Sequence, residues 1–199
     1  MQSNKTAILG VLFLILAACD ATRTDAPTIR NEFTEHEFSA KVSNVRLQSR
    51  LIESGKSNDD IVTVKLPTIL YPEPIVIEDV RKTDSVNLPK EVKFLVDYTK
   101  VNLEGSPEEI AAYWAPGIRE EKMITIRKYF EKNRKIMAKR PGLTILAIVR
   151  HGDDSISVLQ QLSSKIVLGV TIIEKDGRLY LTDIPSDLEL AIIEASFVD

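Results

Sequence analysis

An α+β fold, with helices packed on a curved antiparallel sheet, is predicted by three features of this sequence. The last third reads as short apolar runs of strand length, separated by turn residues. The middle holds two stretches with explicit helix start and stop signals. The chain of 199 residues has a single cysteine, Cys19, near its start, so a buried core and not disulfides must hold the domain.

The elements follow in order. Met1 to Lys5 is polar with one lysine, and Ala7 to Ala18 is almost purely apolar. About a dozen apolar residues fall short of the roughly 20 that span a bilayer as a helix. A short basic region, an apolar core and small residues before a cut site describe an export signal. Leu16, Ala17, Ala18 and Cys19 resemble the signal-peptide motif of bacterial lipoproteins: a leucine, two small residues and a cysteine. That resemblance implies a diacylglycerol thioether on Cys19, cleavage before it, and a freed amine open to further acylation. One fatty chain binds a membrane only marginally, whereas two or three hold a soluble domain there. Asp20 resembles the signal that retains such lipoproteins in the inner membrane of some Gram-negative bacteria. The implied location is the cell membrane, facing the periplasm or exterior. If Cys19 were instead a small buried hydrophobe, the chain would keep an uncleaved helix.

The expected organisation is a signal peptide over 1–18, a lipidated tether over 19–35, an extended, β-rich segment over 36–90 and an α+β domain over 91–199. ATRTDAPTIR, from Ala21 to Arg30, is polar with one proline and suits a tether. Asn31 to Ser54 is open: FSAKV alternates as a strand does, but Val45 and Leu51 also fit one side of a helix. IVTVKL, Ile61 to Leu66, is a strand. Pro67, Pro72 and Pro74 make the following stretch an edge strand or an extended segment. In EVKFLVDYTKVNL, Val92, Phe94, Val96 and Tyr98 alternate with Lys93, Asp97 and Thr99, which predicts a strand over 91–103.

Ser106, Pro107 and Glu109 predict a helix start with a capping box, and Pro116-Gly117 its end. A longer helix is predicted from Ile118 to Lys139, with Met123, Ile126, Phe130 and Met137 on one apolar face and Pro141-Gly142 as its stop. LTILAIV, SISVLQQL, KIVLGVTII and RLYLTDI predict a β-meander, with a hairpin turn at Asp176-Gly177. SDLELAIIEASF predicts a closing helix capped by Ser186 and Glu189. From SPEEIAAYWAP to EKDGRLYLTDI the chain is similar to the NTF2-like, or cystatin-like, superfamily. That resemblance implies a helix packed into a cone of strands; the order of elements, helices followed by a run of antiparallel strands, itself predicts helices on one face of a curved sheet.

Candidate chemistry is sparse. Gly55-Lys56-Ser57 invites a phosphate-loop reading, but the glycine needed five residues earlier is Arg50. His151, Asp153 and Asp154 in RHGDDS have the residue types of a general base with its orienter, or of metal ligands, yet the same letters make a hairpin turn. The only other histidine is His36. Asp97 and Tyr98 are modest acid-base candidates, but neighbours on a strand face opposite ways. Tyr113, Trp114, Tyr129 and Phe130 are core aromatics or, in a cone, pocket walls. Lys122, Arg127, Lys128, Lys132, Arg134, Lys135, Lys139 and Arg140 give the long helix a basic character, suited to solvent or to anionic headgroups. No zinc spacing, nucleophile elbow or cofactor loop is present, so no metal and no cofactor is expected. A net charge of -3 argues against nucleic acid.

The expectation is a non-enzymatic, lipid-anchored accessory or assembly factor of the cell envelope, bound to membrane lipid through Cys19 and to another envelope protein through a sheet edge or helix face. The alternatives are a small-molecule-binding or hydrolytic NTF2-like domain with a cavity lined by Trp114 and Tyr129, or an immunity or inhibitor lipoprotein.

Overall fold

The computed structural model describes residues 32–44, 47–48, 57, 60–183 and 187–198. The sequence features at Cys19 and Asp20, at Val45 and Leu51, and at the Ser186 cap lie outside the described residues, as does most of Gly55-Lys56-Ser57.

Six strands form one open antiparallel sheet: β1 (Thr34–Lys41), β2 (Ile61–Ile77), β3 (Leu143–His151), β4 (Ser155–Ser163), β5 (Ile166–Lys175) and β6 (Arg178–Leu181), each beside its neighbour in sequence. The sheet is curved and does not close. The predicted meander is present. Its Asp176-Gly177 turn has both residues at positive φ, 53° and 72°, as a two-residue hairpin of this hand requires. β1 begins at Thr34, within the stretch expected as tether, and the rest of β1 and all of β2 come from 36–90 and join the same sheet.

The prolines of β2 do not confine it to an edge, since it lies second in the sheet. Its two halves take different neighbours. β1 pairs with Ile61 to Thr68, and β3 pairs with Thr68 to Ile77. Pairing passes from one neighbour to the other at Thr68, one residue after Pro67. Pro72 and Pro74 fall inside the register shift between Leu70 and Ile75, where a missing N–H costs no ladder bond.

The strand expected at 91–103 is instead a helix, α1 (Lys90–Glu104). Its buried residues are Glu91, Val92, Leu95, Val96 and Thr99, a helical spacing. The alternation of Val92, Phe94, Val96 and Tyr98 coexists with that spacing. Fifteen residues without an internal breaker, opened by Pro89 and closed by Gly105, favour the helix. A Cβ on Gly105 would stand 2.8 Å from Val101 Cγ1, so the chain turns there only with glycine.

The chain then turns directly into α2 (Pro107–Ala112), which has the predicted capping box. Ser106 Oγ accepts from Glu109 N at 3.2 Å, and Glu109 Oε2 accepts from Ser106 N at 2.7 Å. The long helix α3 (Arg119–Ala138) and the closing helix α4 (Asp187–Ser196) complete the order.

Helices cover both faces of the sheet, not one. α4 lies on the face bearing Phe38, Ala147, Val149, Leu159 and Val167, into which Leu190 and Ile193 pack. Ala191, Ile192 and Ala195 continue that layer over Ala40, Val42, Leu47 and Val62. Fully burying each large aliphatic side chain stabilises by about 1.5–3 kcal/mol. Alternation places Ile148, Val158 and Ile172 on the opposite face, where they are fully buried as well. There the start of α1 walls a cleft with Ile69 and Ile156, and Tyr98 and Trp114 meet Val170 and Leu181. Leu181 N donates to Tyr113 O at 2.7 Å, which ties β6 to the end of α2.

Candidate functional site

His151 ends β3, so strand alternation fixes its direction. It pairs with Ser155 and sits on the α4 face. Its ring is buried, with Nδ1 3.8 Å from Glu189 Oε2. Burial lowers its pKa, and the Glu189 charge opposes that shift. Asp153 and Asp154 are exposed beyond the turn at Gly152, whose φ is 64°, and line a cleft on the other face. The fold therefore separates the histidine from the two carboxylates that adjoin it in sequence. Among the described residues no three of His, Cys, Asp and Glu gather as a metal site.

The cleft that Asp153 and Asp154 line encloses about 670 Å³ between the start of α1 and strands β2 to β5. Arg150 and Lys90 supply its cations. The Arg150 guanidinium lies 4.1 Å over the Phe33 ring, and Lys90 Nζ is 2.6 Å from Glu174 Oε2. Glu91, also in its wall, is a buried carboxylate. It lies near Tyr71, whose hydroxyl is pushed up to about 12, by burial first and by the Glu91 charge second. Arg150 thus has a ring against it and Lys90 a carboxylate, so each cation is partly engaged within the fold.

The aromatic candidates separate in the same way. Tyr113 packs against Phe94 and Tyr98, each with ring centroids 5.4 Å apart, and so joins α1 to α2. Burial raises the Tyr113 pKa, with the nearby Asp97 charge adding to it. Asp97 thus has a phenol beside it, but that phenol is Tyr113 and not its sequence neighbour Tyr98. Helical geometry turns consecutive side chains about 100° apart. Trp114 and Phe130 line a narrow cleft of about 170 Å³ between α1, α2 and α3. Tyr129 is not in its wall; it is 40% exposed, with Lys128 Nζ 5.2 Å from its ring centre. Trp114 and Tyr129 thus do not share the wall of this cleft, and Phe130 takes the place expected of Tyr129.

Helix α3 is where the surface is unusual. Its 20 residues include none that is buried. Met123, Ile126, Phe130 and Met137 are half-buried on one side, as their spacing predicts. Arg134 holds that side in place. It donates to Gly105 O and lies 4.2 Å over the Phe130 ring. Arg127 Nη2 to Glu108 Oε1 at 2.7 Å and Lys122 Nζ to Asp183 Oδ1 at 2.6 Å clamp the flanks. The outer side carries Ile124 at 72% and Ile136 at 57% exposure. Sequence periodicity locates the inner stripe of such a helix but not how little of it the rest of the fold covers.

No described helix is long and apolar enough to cross a membrane. Comparison with protein-family models, with curated proteins and with solved structures gives no match.

Proposed function

We propose that this chain is a lipid-anchored accessory or assembly factor of the bacterial envelope, which binds another envelope protein and performs no catalysis. The LAAC motif ending at Cys19 supports the anchor. The observation that carries the binding role is the outer edge of β1, eight residues with no strand neighbour among the described residues. Such an edge offers a row of backbone donors and acceptors to an incoming strand. Phe38 and Ala40 are buried in the core beneath α4, so the edge is held rigid and ready to pair. Glu35 and Glu37 on the same strand discourage indiscriminate pairing while leaving the backbone open.

A photo-crosslinking residue at Ser39, in the anchored protein in its native membrane, tests this. The expected result is one envelope protein captured from Ser39 and not from Asp153 in the β3–β4 turn. Capture of the same set from both positions, or none from Ser39, overturns the binding role. The anchor has its own test: Cys19→Ser releases the protein from membranes and blocks its processing. Continued membrane fractionation with the same cleavage refutes it.

A second reading, binding of a small molecule, rests on the 670 Å³ cleft with Arg150 and Lys90 in its wall. Thermal-shift screening with small carboxylates and phosphates addresses it. A stabilisation lost in Arg150→Gln would favour that reading.

A further inference from the structure

We infer that the outer face of α3 is a docking surface for an anionic phospholipid membrane. This rests on the anchored reading above, because Cys19 is what would bring the domain to a bilayer. The chain between Arg127 and Arg140 holds seven cations and one carboxylate, in a protein whose net charge is -3. Two of the cations have partners elsewhere in the fold: Arg127 pairs with Glu108 at the surface, and Arg134 engages Gly105 O and Phe130. The remainder point outward.

Lys128, Lys132, Lys135 and Lys139 recur at steps of four, three and four. At 100° per residue they fall within about 60° of one another around the helix. All four are exposed, and none has an ion-pair partner among the described residues. Glu131 borders the row without pairing to it, and Glu121 stands two turns before it. Arg140, also exposed, extends the row past the helix end. The row lies opposite the half-buried stripe of Met123, Ile126, Phe130 and Met137, so the fold turns it to solvent.

Charge alone would suit any polyanion; the neighbours favour a bilayer. Ile124 flanks the row on one side, and Ile136 and Tyr129 on the other, all exposed. Lysines bordered by aliphatic residues and a tyrosine match the headgroup layer, where cations meet phosphate and apolar groups reach the acyl boundary. Lysine is a flexible point charge, suited to a fluid surface more than to the fixed geometry an arginine fork reads. The 13 residues from Cys19 to Asn31 extend at most about 45 Å, and α3 at 20 residues is about 30 Å long. An anchored domain lying on α3 would be fixed in orientation, not tumbling on its tether.

The test uses the full chain carrying Cys19→Ser, so that no acyl chain contributes. Sedimentation is compared for vesicles of equal parts phosphatidylglycerol and phosphatidylcholine and for vesicles of phosphatidylcholine alone. The apolar run at 7–18 acts on both, so their ratio isolates charge. The first variant replaces Lys128, Lys132, Lys135 and Lys139 with Gln. The second replaces Lys82, Lys93, Lys165 and Lys175, which are exposed elsewhere. Glutamine keeps helix propensity, and circular dichroism verifies folding of both.

The expected result is tighter binding to the anionic vesicles, falling with salt. The α3 variant loses roughly 10²- to 10³-fold of that preference, at about fivefold per lysine, and the second variant loses far less. Equal loss in both variants means net charge alone and overturns the proposal, as does absence of any preference in the parent. Tighter binding to DNA or to an acidic polypeptide than to the vesicles also overturns it. Failure of the anchor would appear only in the Cys19→Ser fractionation, so the two readings fail separately.

Discussion

Gly169 brings the sheet close against Leu190 of α4, and Gly169→Ala should push them apart. A Cβ built there would stand 2.5 Å from Leu190 Cδ1, 2.9 Å from Cδ2 and 3.1 Å from Cγ. These are side-chain atoms, but Leu190 is itself only 2% exposed and is packed among Phe38, Val167 and Ile193. It has little space into which to rotate. The same glycine N–H donates to Glu194 Oε1 at 2.7 Å, so any shift of α4 strains that bond too. Overpacking a filled core by one carbon costs about 1–3 kcal/mol. For a chain of this length that lowers Tm by about 2–12 °C.

Urea denaturation followed by circular dichroism measures the change, and a double-mutant cycle identifies its cause. Leu190→Ala alone should cost about 2–5 kcal/mol through the cavity it leaves. In the Gly169→Ala background it should cost at least 1 kcal/mol less, because the methyl then has somewhere to go. A Gly169→Ala protein within about 0.5 kcal/mol of the parent, or two costs that simply add, would refute the close-approach argument.

Two further predictions concern the buried histidine and the α2 cap. Since burial holds the His151 pKa below its unfolded value of about 6.5, the unfolded chain binds a proton the folded chain refuses. Stability should therefore fall as pH drops below about 6.5, by up to about 1.4 kcal/mol per pH unit. His151→Gln should flatten that part of the profile relative to the parent; two superimposable profiles would show that the ring is not titrating as described. Ser106→Ala removes the acceptor for Glu109 N and should cost about 1 kcal/mol in the same urea assay. Ser106→Asp should recover most of it. If alanine is as stable as serine, the capping box contributes nothing to the fold.

Where one physical signal dominated, the sequence was legible. Turn chemistry at Asp176-Gly177 marked the last hairpin, and Ser106, Pro107 and Glu109 marked the start of α2, because both depend on residues next to each other in the chain. The α3 stripe followed from its 3.6-residue spacing. Residues 91–103 failed because Val92, Phe94 and Val96 satisfy a period of two while Val92, Leu95, Val96 and Thr99 satisfy a helix. Only the available sheet face and the flanking Pro89 and Gly105 decide between them. The prolines of β2 suggested an edge strand or an extended segment, but β2 lies second in the sheet. A strand that changes partners at Thr68 can hold them within the sheet.

The site divides along the same line. Cys19 and its motif are a linear signal, readable without any fold. The number of lysines near the end of α3 was also visible from the start. Tertiary structure decided which cations were free, since Glu108, Asp183 and Gly105 O each engage one and lie far from it along the chain. It also set His151 beneath α4 and left Asp153 and Asp154 on the other face, although the three lie within four residues. Local hydrogen bonding and periodicity act over a few residues, so the sequence states them directly. Burial and charge pairing depend on what the chain brings back from a distance, and only the assembled sheet and helices determine that.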